Sequence, residues 1–156
     1  MQTVVIYDSK FGNTEKIAQA IGRGLSAVGD VRVMSTGEAT PTERPDLLFL
    51  GGPTQNHGAS AGLRDFLNTL PAVLQGVPAV PFDTRYRGAT WLTGSAAAQA
   101  AKAIRKAGSD VVADPESFFI VRKGPMERQM LEPGEIERAE QWAAGIATAA
   151  NGRLQS

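Results

Sequence analysis

The run Ser9-Lys10-Phe11-Gly12-Asn13-Thr14-Glu15 places two hydroxyls, an amide side chain and a glycine just after the apolar segment Val4 to Tyr7 and just before a helical pattern. Backbone N–H groups at a helix start have no intrahelical acceptor, and the helix dipole adds partial positive charge there, so such a run can cradle a phosphate. Two further segments are dense in hydrogen-bonding groups. Gly51-Gly52-Pro53-Thr54-Gln55-Asn56-His57-Gly58-Ala59-Ser60 follows the run Asp46 to Leu50, and Asp83-Thr84-Arg85-Tyr86-Arg87-Gly88-Ala89-Thr90-Trp91 follows Val77 to Phe82. Both can bond the edge of a flat heteroaromatic ring, and Tyr86 or Trp91 can cover its face. Competing motifs fail: G-x-x-x-x-G-K-[ST] does not occur, and Gly22-Arg23-Gly24 lies within a helical pattern rather than after a strand. A phosphoacceptor site would cluster acids at strand ends, whereas Asp8 stands alone and Asp46 begins its strand.

The elements that must position these segments alternate along the chain. Val4 to Tyr7 reads as a strand, and Ile17, Ala18, Ile21, Leu25 and Val28 recur at helical spacing until Gly29-Asp30. Val31 to Met34 is a second strand, and Thr36 to Pro45 a surface connection in which a helix is missing. Asp46 to Leu50, apolar without alternation, predicts a third strand buried on both faces and ending at Gly51-Gly52-Pro53. Leu63, Phe66, Leu67 and Leu70 mark one helical face ended by Pro71, Val77 to Phe82 a fourth strand, and Ser95 the N-cap of an Ala-rich helix to Ala107. Val111 to Ala113 and Ser117 to Val121 share a fifth strand interrupted at Asp114-Pro115-Glu116; Gly124-Pro125-Met126-Glu127 is an exposed connection. Pro133 suits the first turn of a last helix with Ile136, Ala139, Ala143, Ile146 and Ala150 on its apolar face. Five strands alternating with helices imply an α/β fold with a parallel sheet, which binds ligands beyond the carboxyl ends of its strands.

With 156 residues, one domain over 1–150 and a short tail, 151–156, are expected. Sixteen basic against sixteen acidic residues leave no net field to draw the chain onto nucleic acid or an anionic membrane. No apolar run approaches the roughly 18 residues of a membrane span. The absence of cysteine excludes disulfides and thiolate chemistry, and the single histidine excludes a His-rich metal site, so no metal ligands are assigned. The first residues lack the basic and apolar regions of a signal peptide, which gives a cytoplasmic expectation. Phe118 and Phe119 point to opposite strand faces, so at least one is core; Trp142 reads as packing, and Lys102, Arg105 and Lys106 as a solvated helix face.

In this order the segments resemble the flavodoxin family. Ser9 to Glu15 is similar to its phosphate loop in the form S-x-[FY]-G-N-T-E, Gly51-Gly52-Pro53-Thr54 to its loop at one side of the flavin, and Phe82-Asp83-Thr84-Arg85 with Gly94-Ser95-Ala96 to its second flavin loop. The resemblance covers nearly the whole chain. It implies a flavodoxin-like three-layer sandwich, strand order 2-1-3-4-5, with FMN at the switch between strands one and three. It departs from the family at Phe11, which replaces a hydroxyl residue, and in lacking the expected tryptophan and the long insertion in the fifth strand. Carried over, it implies that Ser9, Lys10, Phe11, Gly12, Asn13 and Thr14 hold the phosphate. Pro53, Thr54, Gln55, Asn56, His57 and Gly58 then line one edge of the isoalloxazine, and Asp83, Thr84, Arg85, Tyr86, Arg87 and Gly88 the other. It further implies a His57-Gly58 peptide that turns toward the reduced ring, eased by positive φ at Gly58. Arg85, Arg87 and His57 against Asp83 give an expected surplus of positive charge around the flavin.

These implications lead to an FMN-binding electron carrier that needs no catalytic side chain, exchanging electrons with a redox partner protein or a small acceptor such as a quinone. An FMN-dependent NAD(P)H:quinone-type reductase is the alternative enzyme, and a flavin-free interaction module a third reading, since fold alone does not prove function.

Overall fold

The computed structural model describes every residue except Pro125, Glu127 and Ser156. Strands β1 (Gln2–Tyr7), β2 (Asp30–Ser35), β3 (Leu47–Gln55), β4 (Gly58–Ala59), β5 (Ala79–Tyr86), β6 (Glu116–Lys123) and β7 (Arg128–Leu131) alternate with helices α1 (Asn13–Leu25), α2 (Ala61–Asn68), α3 (Thr90–Thr93), α4 (Ala96–Lys106) and α5 (Glu135–Gln155). The sheet order is β2-β1-β3-β5-β6-β7, with β4 folded back on β3. The pairs from β2 to β6 are parallel, and β7 adds to β6 antiparallel. Without the short β4 and the edge strand β7, this is the expected 2-1-3-4-5 order. Helices cover both faces: α1 and α5 pack on Val5, Phe49, Phe82 and Phe118, while α2 and α4 pack on Val4, Ile6, Leu48 and Leu50. Phe118 is fully buried, and Trp142 meets it and Phe49 edge to face with centroids 5.5 and 5.6 Å apart.

Several boundaries differ from the sequence expectation, and pairing is the reason. β3 does not stop at Gly51, because β1 and β5 flank it: Gly51 pairs with Tyr7 and Phe82, Gly52 with Asp83 and Pro53 with Thr84. β5 likewise continues to Tyr86 through parallel pairing with β6, so Asp83 to Tyr86 belong to a strand rather than a loop. Val111 makes only a lone bridge to Ala79, and the fifth long strand starts at Glu116. β7 occupies residues to which the sequence pattern assigns no element, held by register with β6 from Ile120↔Leu131 to Lys123↔Arg128. The connection read at Gly124 to Glu127 lies partly outside the described residues. Pro133 precedes rather than begins α5, since Gly134 adopts φ +86° and the helix starts at Glu135; it runs on to Gln155, through the expected tail. Turns and irregular chain, rather than a helix, join β2 to β3. No helix among the described residues is long and apolar enough to cross a membrane.

Two contacts fix the helices that carry the site. Gly24 of α1 lies against the Glu140 carbonyl of α5, where a Cβ would come within 2.2 Å of the oxygen. At the start of α5, the buried Glu135 carboxylate accepts the Phe119 N–H at 2.8 Å and pairs with Arg138 at 2.7 Å, while Arg138 also reaches Glu116 at 3.4 Å. Burial acts to raise the Glu135 pKa, but the bonds from Arg138 and the Phe119 N–H outweigh it and hold the carboxyl below its ordinary value.

Gly24→Ala is expected to destabilise the fold by about 1–3 kcal/mol, since overpacking against backbone outweighs the roughly 1 kcal/mol alanine gains in helix propensity. A urea titration reads this directly, and an unchanged or raised midpoint contradicts the close contact. Glu135, with its folded pKa lowered, contributes stability that is present above the unfolded carboxylate pKa and lost as pH falls below about 5 through the folded value. Glu135→Gln should therefore be less stable at pH 7 and show a shallower loss in acid; identical acid slopes for the two proteins would refute the assignment.

Candidate functional site

The carboxyl ends of β1, β3 and β5 meet over the start of α1. Gly12 caps α1 at φ +88°, a left-handed conformation that favours glycine. The Ser9 hydroxyl oxygen accepts the N–H groups of Gly12 at 3.1 Å and Glu15 at 3.4 Å, which shapes the loop and leaves its own O–H to donate. The N–H groups of Lys10, Phe11, Asn13 and Thr14 have no acceptor among the described residues. Behind them the buried hydroxyls of Thr14 and Thr84 share one hydrogen bond of 2.8 Å, so the pair keeps one proton for a further acceptor. The Asn13 amide donates to the Gln129 carbonyl of β7 at 3.1 Å. Lys10 is exposed, with its ammonium 5.5 Å from the centroid of the Phe11 ring, and Phe11 is itself 61% exposed. These groups open into a cleft of about 40 Å³ that continues along Pro53, Thr54 and Gln55 to Thr84 and Tyr86. Ile120 and Gln129 complete its wall. Nothing in the weak pattern of the β7 segment signals Gln129, which enters only through strand pairing.

The expected ring-lining residues divide. Thr84 and Tyr86 border the cleft, but Asp83, one residue along the strand, faces the opposite side and is fully buried. One of its oxygens accepts from Ser95 Oγ at 2.7 Å, the Ala97 N–H at 2.9 Å and Thr54 Oγ1 at 3.2 Å; the other has no partner among the described residues. Thr54 Oγ1 in turn accepts the Ala96 N–H at 2.9 Å. Ser95 caps α4 as expected. Asp83 therefore fastens α4 to the sheet. Trp91 is 82% exposed on α3, whereas the Tyr86 hydroxyl accepts from Arg122 at 2.9 Å.

The expected cationic surplus is also redirected. Arg85 donates to Ser117 Oγ at 2.9 Å, the Gly88 carbonyl at 3.0 Å, the Tyr86 carbonyl at 3.3 Å and Thr93 Oγ1 at 3.3 Å, and so ties down the loop after β5. Arg87 pairs with Glu132 at 2.7 Å and stacks 4.3 Å over Phe119. One arginine is committed to loop carbonyls and hydroxyls and the other is neutralised by a carboxylate.

The second loop is a hairpin. Thr54 pairs with Ala59 and Gln55 with Gly58, leaving Asn56 and His57 as the two central residues at φ 48° and 68°. A two-residue hairpin turn needs left-handed backbone at both centres, and asparagine accepts it readily. The positive φ values of the hairpin fall at Asn56 and His57 rather than at Gly58, which makes room for Gln99, whose Oε1 accepts the Ala59 N–H at 2.6 Å. At the hairpin tip the His57 carbonyl rests on Gly94, where a Cβ would come within 2.0 Å of the oxygen.

With this geometry in place, comparison with known proteins is informative. Residues 5–72, which include the Ser9–Thr14 loop and the β3–β4 hairpin, match the flavodoxin family model. No curated protein matches the sequence. Among solved structures, an archaeal flavodoxin aligns at TM-score 0.75 and 21% identity over 97% of this chain and 99% of its own. Oxidised flavodoxin 1 from Bacillus cereus aligns at TM-score 0.73 and 20% identity, over 95% of this chain and 98% of its own. The flavodiiron protein from Giardia intestinalis aligns at TM-score 0.74 and 17% identity over 97% of this chain, which spans 36% of that longer protein. Residues 5–72 thus match the flavodoxin family, whose members bind FMN, and the whole length carries a flavodoxin-like fold.

Proposed function

We propose that the protein is an FMN-dependent electron carrier, with the FMN phosphate held by the Ser9–Thr14 loop. The observation that carries this reading is the set of uncommitted donors at the start of α1: the N–H groups of Lys10, Phe11, Asn13 and Thr14, the Ser9 hydroxyl, and one proton of the Thr14 and Thr84 pair. A phosphate dianion matches such a set, because it accepts several charge-assisted bonds at once and sits at the positive end of the helix dipole. The cleft runs from Ser9, Asn13 and Thr14 along Pro53 and Thr54, so the ring belongs at its far end, between Gln55 and Tyr86. Pro53, Thr54, Gln55, Asn56, His57 and Gly58 then flank one side, and Thr84, Tyr86, Arg87 and Gly88 the other. Asp83 and Arg85 act as positioning residues for α4 and for the loop after β5. Bound flavin supplies the electron chemistry; the chain orients it, shields one edge and presents the other.

FMN is expected to bind at about one per chain and riboflavin at least tenfold more weakly, a difference of about 1.4 kcal/mol or more. Thr14→Ala should weaken FMN far more than riboflavin. Fluorescence titration measures both, and a change below about twofold on removing either the phosphate or the hydroxyl rejects the cradle.

Carrier and reductase are separated by turnover. The FMN-loaded protein, given NAD(P)H and a quinone without any added reductase, should show no sustained steady-state oxidation of the nicotinamide. Multiple turnovers would make it an NAD(P)H:quinone-type reductase instead.

A further inference from the structure

A second cavity, about 690 Å³, lies between the β3–β4 hairpin, the start of α2 and the outer face of α4. It shares only Gln55 with the Ser9–Thr14 cleft, and the hairpin, seated on Gly94 through the His57 carbonyl, stands between the two. Its volume falls within the roughly 300–1,000 Å³ of small-molecule sites.

The chemistry of its wall is one-sided. Arg64 from α2 and Lys102 from α4 both line it, neither has an ionic partner among the described residues, and no Asp or Glu takes part. Three of the lining polar side chains are already engaged with the protein. Gln99 turns its Oε1 to the Ala59 N–H, which leaves its amide hydrogens as donors. Ser95 Oγ accepts the Ala98 N–H and donates to Asp83, and the Ser60 hydroxyl donates to Asp8. The full charges offered to a ligand are therefore both cationic and carried on separate helices, with the Gln99 amide as a further donor. That arrangement suits an anion with two charged ends rather than a neutral or aromatic molecule.

We infer that this cavity is an anion site, separate from the flavin cleft, that takes a diphosphate group between Arg64 and Lys102. The inference does not rest on the flavin reading: the cavity shares Gln55, Asn56, His57 and Gly58 with the proposed ring edge, but Arg64 and Lys102, which carry the site, lie outside both that edge and the Ser9–Thr14 loop. Lys102 thereby acquires a partner-binding role that its place on a charged helix face does not announce.

Isothermal titration of the full chain, saturated with FMN, uses inorganic pyrophosphate and ADP as probes. The expected result is saturable binding of about one pyrophosphate per chain, weakened at least tenfold in the Arg64→Gln, Lys102→Gln double variant. Arg105→Gln, which removes a cation from the same helix outside the cavity, should leave it unchanged. ADP binding more tightly through the same two residues identifies a nucleoside diphosphate as the ligand, and equal affinity identifies the diphosphate alone; both uphold the site. Absence of saturable binding, or an equal loss in Arg105→Gln, overturns it. So does displacement of FMN by pyrophosphate, or a loss in Thr14→Ala that the double variant does not share, since either places the anion in the first cleft. Loss of FMN binding with the pyrophosphate response intact would reject the flavin reading alone.

Discussion

A parallel sheet covered on both faces leaves polar side chains almost nowhere to go except the ends of its strands, and a carboxyl group placed there must find hydrogen-bond donors. Asp83 sits under that constraint. Its carboxylate is fully buried at the end of β5, yet it collects hydrogen bonds from β3 through Thr54 and from α4 through Ser95 and the Ala97 N–H. The position of α4 follows from those bonds. So does the position of Gly94 immediately before it, and with Gly94 the hairpin tip that rests on it. One carboxylate thus places both walls of the region beyond the sheet.

The surrounding charges serve the same end. Arg85 and Arg87, which as bare sequence suggest a positive field around a ligand, are engaged by the protein itself, Arg85 by carbonyls and Ser117 and the exposed Arg87 by Glu132. Phe119 lies beneath both guanidinium groups, at 5.2 and 4.3 Å, so the loop after β5 is held by cation–π contact as well as by hydrogen bonds. Electrostatics here act at short range, on geometry. By contrast Arg64 and Lys102, like Lys10 at the other cleft, have no ionic partner among the described residues.

The parts of the fold that follow from local pattern were legible in the sequence: the apolar run of β3, the helical spacing of α1 and α2, and the Ser95 cap. So was the loop at Ser9 to Thr14, because glycine, hydroxyls and a helix start lie next to one another in the chain. What was hidden depends on pairing between distant segments. β7 has no alternation to announce it and exists because β6 offers it an edge; Asp83 looks like a loop residue until β6 extends β5 past it. The Asn56 and His57 turn carried a usable signal, asparagine at the first centre of a two-residue loop, which the neighbouring Gly58 obscured. The meeting of Gly24 with the Glu140 carbonyl left no local trace, since a glycine in a helix looks the same whether it admits a neighbour or faces water.

That last contact reaches into the cradle. α1 begins at the Ser9–Thr14 loop and ends near the point where its backbone is pressed against α5, so it can neither slide nor roll without forcing two main chains into each other. Ser9 meanwhile holds the loop to Gly12 and Glu15 from the front. The donors are ordered when the chain folds, and the conformational entropy of arranging them is lost at that stage rather than on ligand capture. The proposed anion would gain the full set of bonds there without first organising the backbone that offers them.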